Sequence, residues 1–421
     1  MSATVELAGA RVLVVGLARS GLAAAEALAV RGAQVVGYDR DPGVEAGRLR
    51  ALGVEVVTGP EEETVLTGID LVVKSPGVPG ERPLVAGARA RGIPVWSEIE
   101  LGSRLLGSPL LGVTGTNGKT TTSELLGAIF RAAGRPVEVA GNVGRPLTSL
   151  AGAVGPETWV VCELSSFQLE DVETLRPEIG VLLNLEPDHL DRHGTFAAYA
   201  AAKLRLFERQ GPGDVAVCPR GFGPVPGAAR RVEFAADDPL PAEPRLPGPH
   251  NRENAAAATA AARAAGIGEE AIAEALRSFP GVPHRIELVR ELGGVSYVND
   301  SKATNVAAAL RALASFPGRR RHVILGGRGK AEPYDRLAAA FEPGDRAYLI
   351  GEAAEEIGRA LEAAGVPCLY AGDVESALAA AAAAATPGDV VLLSPACASF
   401  DQFRDFEQRG DVFRALVREL S

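Results

Sequence analysis

Lysine is scarce in this chain of 421 residues: only Lys74, Lys119, Lys203, Lys302 and Lys330 among its 43 basic residues carry an amine, and arginine supplies the rest. Arginine is a planar fork that stays charged, whereas lysine is a compact amine that can lose its proton, so each lysine has to be tested against its neighbours. Cysteine is also rare. Cys162, Cys218, Cys368 and Cys397 show no C-x-x-C spacing, which argues against zinc and a disulfide framework and leaves buried thiols. No run approaches about 18 apolar residues, and the opening "MSATVELAGARVLVVGLARSG" lacks a basic segment, an apolar stretch and a cleavage site. The expectation is a cytoplasmic protein without a membrane partner. Positive charge is in deficit as well. A net charge of -10 offers no footprint for nucleic acid, so any polyanion must be met locally.

What is present is globular: 47% hydrophobic and 23% charged residues, over a length that calls for more than one core. The pattern is α/β. "RVLVVGLARSGLAAAEALAVRGAQVVGYDR" (11–40) reads as strand, glycine turn, helix, strand, and "IDLVVKSPGVP" (69–79) repeats a strand that ends in a Pro/Gly turn. A second α/β region opens at "PLLGVTGTNGKTTTSELLGAIFRAAG" and runs through the strands "TWVVCELSS" and "IGVLLNLEPDH". Pro and Gly crowd 219–249, which reads as loops with short strands. A third region carries strands at "VSYVND", "RHVILGG", "RAYLIG" and "DVVLLSPA", with the alanine run at 379–385 as a helix body. Three domains are expected, at 1–95, 96–281 and 282–421, in a monomer.

"GVTGTNGKTTT" (112–122) lies between an apolar strand and a helix. Its glycines permit tight turns, free N–H groups at the helix start face anionic oxygens, Lys119 neutralises phosphate charge and a threonine hydroxyl can hold Mg²⁺. Val113 stands where the usual phosphate loop has its first glycine, and a plain strand-to-helix turn is the simpler alternative.

Asp188, His189, Asp191 and His193 crowd the next strand end, and Lys203 follows in an alanine-rich helix with Tyr199. Such a lysine is ordinarily a solvated one. Mg²⁺ prefers oxygen ligands, so an amine beside it is useful if it contacts phosphate or becomes an oxygen anion. Reaction of a neutral amine with CO₂ gives such an anion, a carbamate. Glu163, at another strand end, is a candidate metal carboxylate. Asn251 and Asn254 of "PHNREN" can cap a helix or bond a base edge. "YVNDSKATN", "ILGGRGK" and "LLSPACASFDQFRDFEQRG" gather hydroxyls and amines that suit a small carboxylated ligand. Near the start, Gly16, Ala18, Gly21 and Asp39 fit a dinucleotide-binding unit, so a nicotinamide-dependent oxidoreductase is a rival reading.

Taken together, "TGTNGKTTT", "ELSSFQLE", "DHLDRH", "YAAAKLRLF", "HNREN", "PHRIE", "NDSKATN" and "SPACASFDQFRDFEQRG" resemble, in content and order, the motifs of the Mur ligase family. The resemblance implies an α/β enzyme with a Rossmann-like N-terminal domain for a UDP-sugar, a central P-loop ATPase-type domain and a Rossmann-like C-terminal domain for an amino acid. It implies ATP-dependent amide formation in peptidoglycan synthesis, with UDP-N-acetylmuramoyl-L-alanine and D-glutamate as partners. By this resemblance Gly115, Thr116, Asn117, Gly118, Lys119, Thr120 and Thr121 hold ATP phosphate, and Asn251, Asn254, Arg285 and Asp300 complete the nucleotide site. Thr120, Glu163, His189 and carbamylated Lys203 surround two Mg²⁺ ions, with Lys119, Glu163, His189 and Lys203 as the catalytic set. Ser20, Asp39, Arg40, Ser75, Gly77 and Asn142 meet the UDP-sugar. Lys302, Thr304, Lys330, Ser399, Phe400 and Phe406 line the D-glutamate pocket. Arg328, where an acidic residue is familiar, and Phe400, where leucine is, depart from the pattern. The rivals are a sister ligase for another amino acid, the oxidoreductase above, and a nucleotide-gated binding protein without turnover. The "DNPR" stretch associated with the diaminopimelate-adding branch is absent.

Overall fold

RVLVV is β-branched and buried along almost its whole length, so it forms an inner strand covered on both faces, β1 (Arg11–Val15). It opens a computed structural model that describes residues 6–246, 248–329 and 332–421. Four strands join it in parallel: β2 (Gln34–Asp39), β3 (Glu55–Thr58), β4 (Leu71–Lys74) and β5 (Val95–Ser97), in the order β3-β2-β1-β4-β5. The chain steps outward through β2 and β3, then returns to the other side of β1 at β4. The strand order therefore reverses between β1 and β4, and their carboxyl ends open a crevice where ligands of such sheets bind.

A second parallel sheet contains β6 (Leu110–Thr114), β7 (Val137–Gly141), β8 (Trp159–Glu163), β9 (Ile179–Leu182), β10 (Val215–Pro219) and β11 (Arg230–Phe234), ordered β11-β10-β9-β6-β8-β7. β6 lies between β8 and β9, so the turn that follows it is flanked by the carboxyl ends of both. Val113 is fully buried in β6, opposite Val181 on one side and Glu163 on the other. The strand runs through that position and the turn begins two residues later, which accounts for a valine where a longer loop has glycine.

The third sheet contains β12 (Glu287–Leu292), β13 (Val295–Asn299), β14 (Arg321–Gly326), β15 (Arg346–Ile350), β16 (Cys368–Gly372) and β17 (Val390–Leu393), ordered β12-β13-β17-β14-β15-β16, with β12 antiparallel to β13 and the rest parallel. The alanine run is the body of helix Val374–Ala384, which buries Val374, Ala377, Leu378 and Ala381. The chain divides into two compact units: residues to Arg245 with Pro249–Phe279, holding the first two sheets, and Leu246–Gly248 with Pro280–Ser421, holding the third.

Candidate active site

The turn after β6 leads into helix Lys119–Ala132, whose N-terminal flank is Gly118 at φ 82. Only glycine adopts that conformation without strain, and a Cβ there would stand 2.2 Å from Asn254 Oδ1. Asn254 is thereby placed against the phosphate loop. Both Asn251 and Asn254 lie inside helix Pro249–Ala264, so neither flanks its start as a cap. The exit of β9 braces the loop: Asn117 N–H donates to Asn184 Oδ1 at 2.8 Å, and Asn117 Nδ2 donates to Glu186 at 2.9 Å. Lys119 folds back over the turn and donates to the carbonyls of Gly115 (2.8 Å) and Thr116 (3.0 Å). Asn184 and Glu186 were not singled out in the sequence, because neither belongs to the glycine-and-lysine pattern that signals a phosphate loop.

Lys203 reaches the same turn from helix Phe196–Leu204. Its amine is almost fully buried and donates to Gly115 O at 2.8 Å. Burial, followed by the positive charge of Lys119, pulls its pKa down to about 7, against opposing pulls from Asp188 and Glu163. The Tyr199 ring lies 4.8 Å from the amine, and its hydroxyl donates to Thr116 Oγ1 at 3.0 Å. Glu163, also buried, accepts from Asn142 Nδ2 at 2.9 Å through Oε1, while Oε2 is buried without a hydrogen-bond partner. An unpartnered buried carboxylate oxygen that acts on Lys203 is what a hard cation would satisfy. Thr120 is buried in the first turn of the helix. His189 sits at φ 51, half exposed, with its ring 4.8 Å from Phe167 and 6.3 Å from Tyr199. Among the described residues no three His, Cys, Asp or Glu side chains form a ready cage for a metal. Mg²⁺ fits that pattern, because it takes one or two carboxylates and draws its other ligands from phosphate and water.

All six residues expected at the sugar nucleotide, Ser20, Asp39, Arg40, Ser75, Gly77 and Asn142, line one cleft of about 610 Å³ at the β1/β4 reversal. Its floor is tight: a Cβ on Gly21 would lie 1.8 Å from Gly16 O, which also accepts from Ser75 Oγ at 2.7 Å. Asp39 holds the turn shut, accepting from Leu17 N–H (2.7 Å) and Asp41 N–H (2.9 Å). Sequence reasoning missed Arg19, Tyr38, Glu61 and Arg82 on the same walls. No motif marks them, and Glu61 and Arg82, which pair with each other, meet only through the fold.

In the second unit, Asp300 follows β13 and accepts from Ile286 N–H (3.1 Å) and Ser394 Oγ (2.9 Å). Burial pushes its pKa up to about 7. Arg285 lies in the same turn, between His284 at φ 62 and Ile286 at φ 46; a β-branched residue there is a true outlier, and such strain is common at functional sites. Lys302 Nζ stands 5.6 Å from the Phe406 ring, and Thr304 N–H donates to Lys302 O at 2.8 Å. Ser399 is buried and Phe400 is 63% exposed. Lys330 lies outside the described residues. Arg328 pairs with Glu352 on the surface, while its backbone bridges to Ala398 beside Ser399. Arg409, quoted in a motif yet not singled out, is buried and binds Ser301 O (2.8 Å), Ser301 Oγ (3.0 Å) and Cys397 O (3.2 Å), tying the Lys302 loop to the Ser399 loop.

A glycine-and-lysine turn of phosphate-loop pattern after β6, a cleft at the β1/β4 reversal and a third sheet with polar strand ends fit a nucleotide-dependent α/β enzyme. The chain belongs to the Mur ligase family: the description "Mur ligase MurD-like, N-terminal domain" matches residues 10–97, "Mur ligase middle domain" 113–221, and "Mur ligase, glutamate ligase domain" 284–397. Two relatives bear the name UDP-N-acetylmuramoylalanine–D-glutamate ligase. That of Acidobacterium capsulatum is 44% identical over 98% of this chain and 97% of its own length, and that of Anaeromyxobacter dehalogenans is 46% identical over 98% of each. A UDP-N-acetylmuramate-alanine ligase structure from Thermotoga maritima shares the fold at TM-score 0.58 and 19% identity, covering 97% of this chain and 99% of that one. Among the described residues no helix is long and apolar enough to cross a membrane.

Proposed function

We propose that this protein joins D-glutamate to UDP-N-acetylmuramoyl-L-alanine at the expense of ATP, releasing ADP and phosphate, as a cytoplasmic monomer in peptidoglycan precursor synthesis. The observation that carries the chemistry is the convergence of Lys119 and Lys203 on the Gly115 carbonyl, with the buried, half-partnered Glu163 carboxylate acting on Lys203. The choice of D-glutamate rests on the full-length likeness to ligases of that name. Domain boundaries at 95 and 281 go with this reading.

The alanyl carboxylate attacks the γ-phosphorus of ATP; an O–P bond forms as the bond to the β-phosphate oxygen breaks, giving an acyl phosphate and ADP. The D-glutamate nitrogen then attacks the acyl carbon, and the resulting tetrahedral species expels phosphate. Lys119 and the loop N–H groups neutralise and orient the phosphates, and His189 assists the incoming amine. Bound Mg²⁺, two ions in this reading, supplies charge neutralisation between carboxylate and phosphate. Thr120, Glu163, His189 and Lys203 hold it. The Lys203 amine takes part after attacking CO₂: an N–C bond forms, a proton leaves, and the carbamate offers the oxygen an ammonium lacks. Asn251, Asn254, Arg285 and Asp300 contact the nucleotide, and Lys302, Thr304, Lys330, Ser399, Phe400 and Phe406 hold D-glutamate.

Phosphate release measured with each component omitted in turn tests the reading. Turnover requires ATP, Mg²⁺, UDP-N-acetylmuramoyl-L-alanine and D-glutamate together and yields ADP. Formation of AMP and pyrophosphate would identify an adenylating enzyme and refute it.

A further inference from the structure

Lys74 is the one described lysine that the reaction leaves without a task. It ends β4 directly before the Ser75–Pro79 turn of the sugar-nucleotide cleft, and its side chain is 1% exposed. Its amine donates to Val78 O at 3.1 Å and stands 3.1 Å from Asp171 Oδ2 and 3.9 Å from Glu170 Oε2, both from the segment after β8. The Asp171 contact is a buried ion pair. Arg89 pairs with the other Asp171 oxygen.

A second cation reaches the same turn. Arg192 follows His189 in the Asp188–His193 segment, and its fork donates to Pro76 O (3.4 Å), Val78 O (3.3 Å) and Glu170 Oε2 (3.0 Å). Its guanidinium carbon lies 4.5 Å from the centre of the Phe167 ring, whose next neighbour is the His189 ring. Glu170 Oε1 is 3.4 Å from His193 Nδ1. Two carbonyls of the cleft wall, two carboxylates and the segment that carries His189 thus share one largely buried network. Breaking a buried pair strands its partner, so the elements it joins move together or not at all.

We propose that Lys74 and Arg192 are positioning residues for the sugar-nucleotide cleft, and that their hold on Pro76 O and Val78 O couples filling of that cleft to the placement of the His189–His193 segment. The inference rests on the assignment of this cleft to UDP-N-acetylmuramoyl-L-alanine.

The test titrates the full-length enzyme, without ATP, with UDP-N-acetylmuramoyl-L-alanine, and separately with ADP and Mg²⁺. Arg192→Ala is expected to weaken the first affinity by about tenfold or more and the second by less than about twofold, with Arg192→Lys between, since an ammonium keeps the charge but lacks the fixed planar fork that spans two carbonyls and a carboxylate. Lys74→Met is expected to follow Arg192→Ala. Hydrogen exchange at 188–195 is expected to slow when the sugar nucleotide binds wild type and to respond little in Arg192→Ala at saturating ligand. Unchanged sugar-nucleotide affinity, an equal loss for both ligands, or an intact exchange response in the variant would each overturn the inference. Should Arg192→Ala fail to fold, Arg192→Lys carries the same comparison. A wild-type enzyme that does not bind the sugar nucleotide would refute the cleft assignment instead.

Discussion

Lys203 is useful for what its neighbours take away from it. Burial and Lys119 make the charged form expensive, so near neutral pH much of the amine is unprotonated and able to attack CO₂. Lys203→Ala is therefore expected to lose about a hundredfold or more in turnover, the scale on which a preorganised electrostatic partner contributes, with partial rescue by a small carboxylate such as acetate. Lys203→Arg is expected to stay inactive, because a guanidinium forms no such carbamate. Retention of ADP binding serves as the fold control, and a fully active Arg variant would remove the carbamate from the mechanism. At this scale the sequence was informative where a residue type is rare. Lysine scarcity led to Lys119 and Lys203 at one turn, yet it could not show that Lys74 is sealed in an ion network, since Glu170 and Asp171 lie almost a hundred residues away. Asp39 teaches the converse. Its place at the end of β2 put it at the sugar-nucleotide cleft, which it lines, but could not show that its carboxylate also accepts from two backbone N–H groups that shape the turn.

Among elements, the third sheet is stitched below its polar ends by side chains no motif announced. His322 on β14 bonds Tyr348 on β15 through Nδ1 (2.9 Å) and Asp389, just before β17, through Nε2 (3.3 Å). Arg320 also pairs with Asp389. Burial holds the His322 pKa below its ordinary value, with Arg320 and Arg346 adding to this and Asp389 opposing it. Asp389 is held down to about 2, despite its burial, by Arg320, Thr386 and His322. A histidine depressed in the folded state is protonated first in the unfolded chain, so stability is lost as pH falls below about 6.5. The Asp389 contribution is present above its ordinary pKa of 3.8 and disappears toward 2. Hydrogen-exchange protection of β14 and β17 should thus fall from pH 7.5 to 4.5 (approximate limits) more steeply in wild type than in His322→Gln, which cannot titrate. His322→Ala, which leaves a cavity and a stranded tyrosine hydroxyl, should cost about 2–4 kcal/mol in the same unit. Identical pH slopes would show that His322 is not the titrating group. The strands legible beforehand were the long buried ones: RVLVV, RHVILG and VVLL have no other use for so many apolar side chains. β5 is three residues long, and β16 is an edge strand that leaves Leu369 and Tyr370 half exposed, so neither shows an apolar run or a clean alternation.

Across the whole molecule the reaction uses three ligands of different chemistry, and the chain devotes a sheet to each in the proposed reading. The order of motifs made that division legible, while the pairing of the first two sheets in one compact unit was not, because it depends on contacts such as Arg192 to Pro76 and Glu100 to Thr174 between distant segments. In that reading amino-acid choice belongs to the second unit. D-glutamate carries two carboxylates and an amine, so its pocket must neutralise two anions and leave the amine free to attack. Lys302 and Thr304 stand on one loop and Ser399 on another, with Arg409 tying the two by their carbonyls. A pocket built this way leaves donors unsatisfied, at roughly 1–3 kcal/mol each, when an analogue lacks one carboxylate. L-glutamate fails for a different reason, since fixing both its carboxylates turns the amine away from the acyl phosphate. The expected result is turnover with D-glutamate and little with L-glutamate, L-alanine or diaminopimelate. Ser399→Ala should raise the KM for D-glutamate by about tenfold and leave that for ATP unchanged, the signature of a lost ground-state contact to one substrate alone. Equal turnover of L-alanine would move the protein to another branch of its family, and an unaltered D-glutamate KM would place the amino acid away from the Ser399 loop.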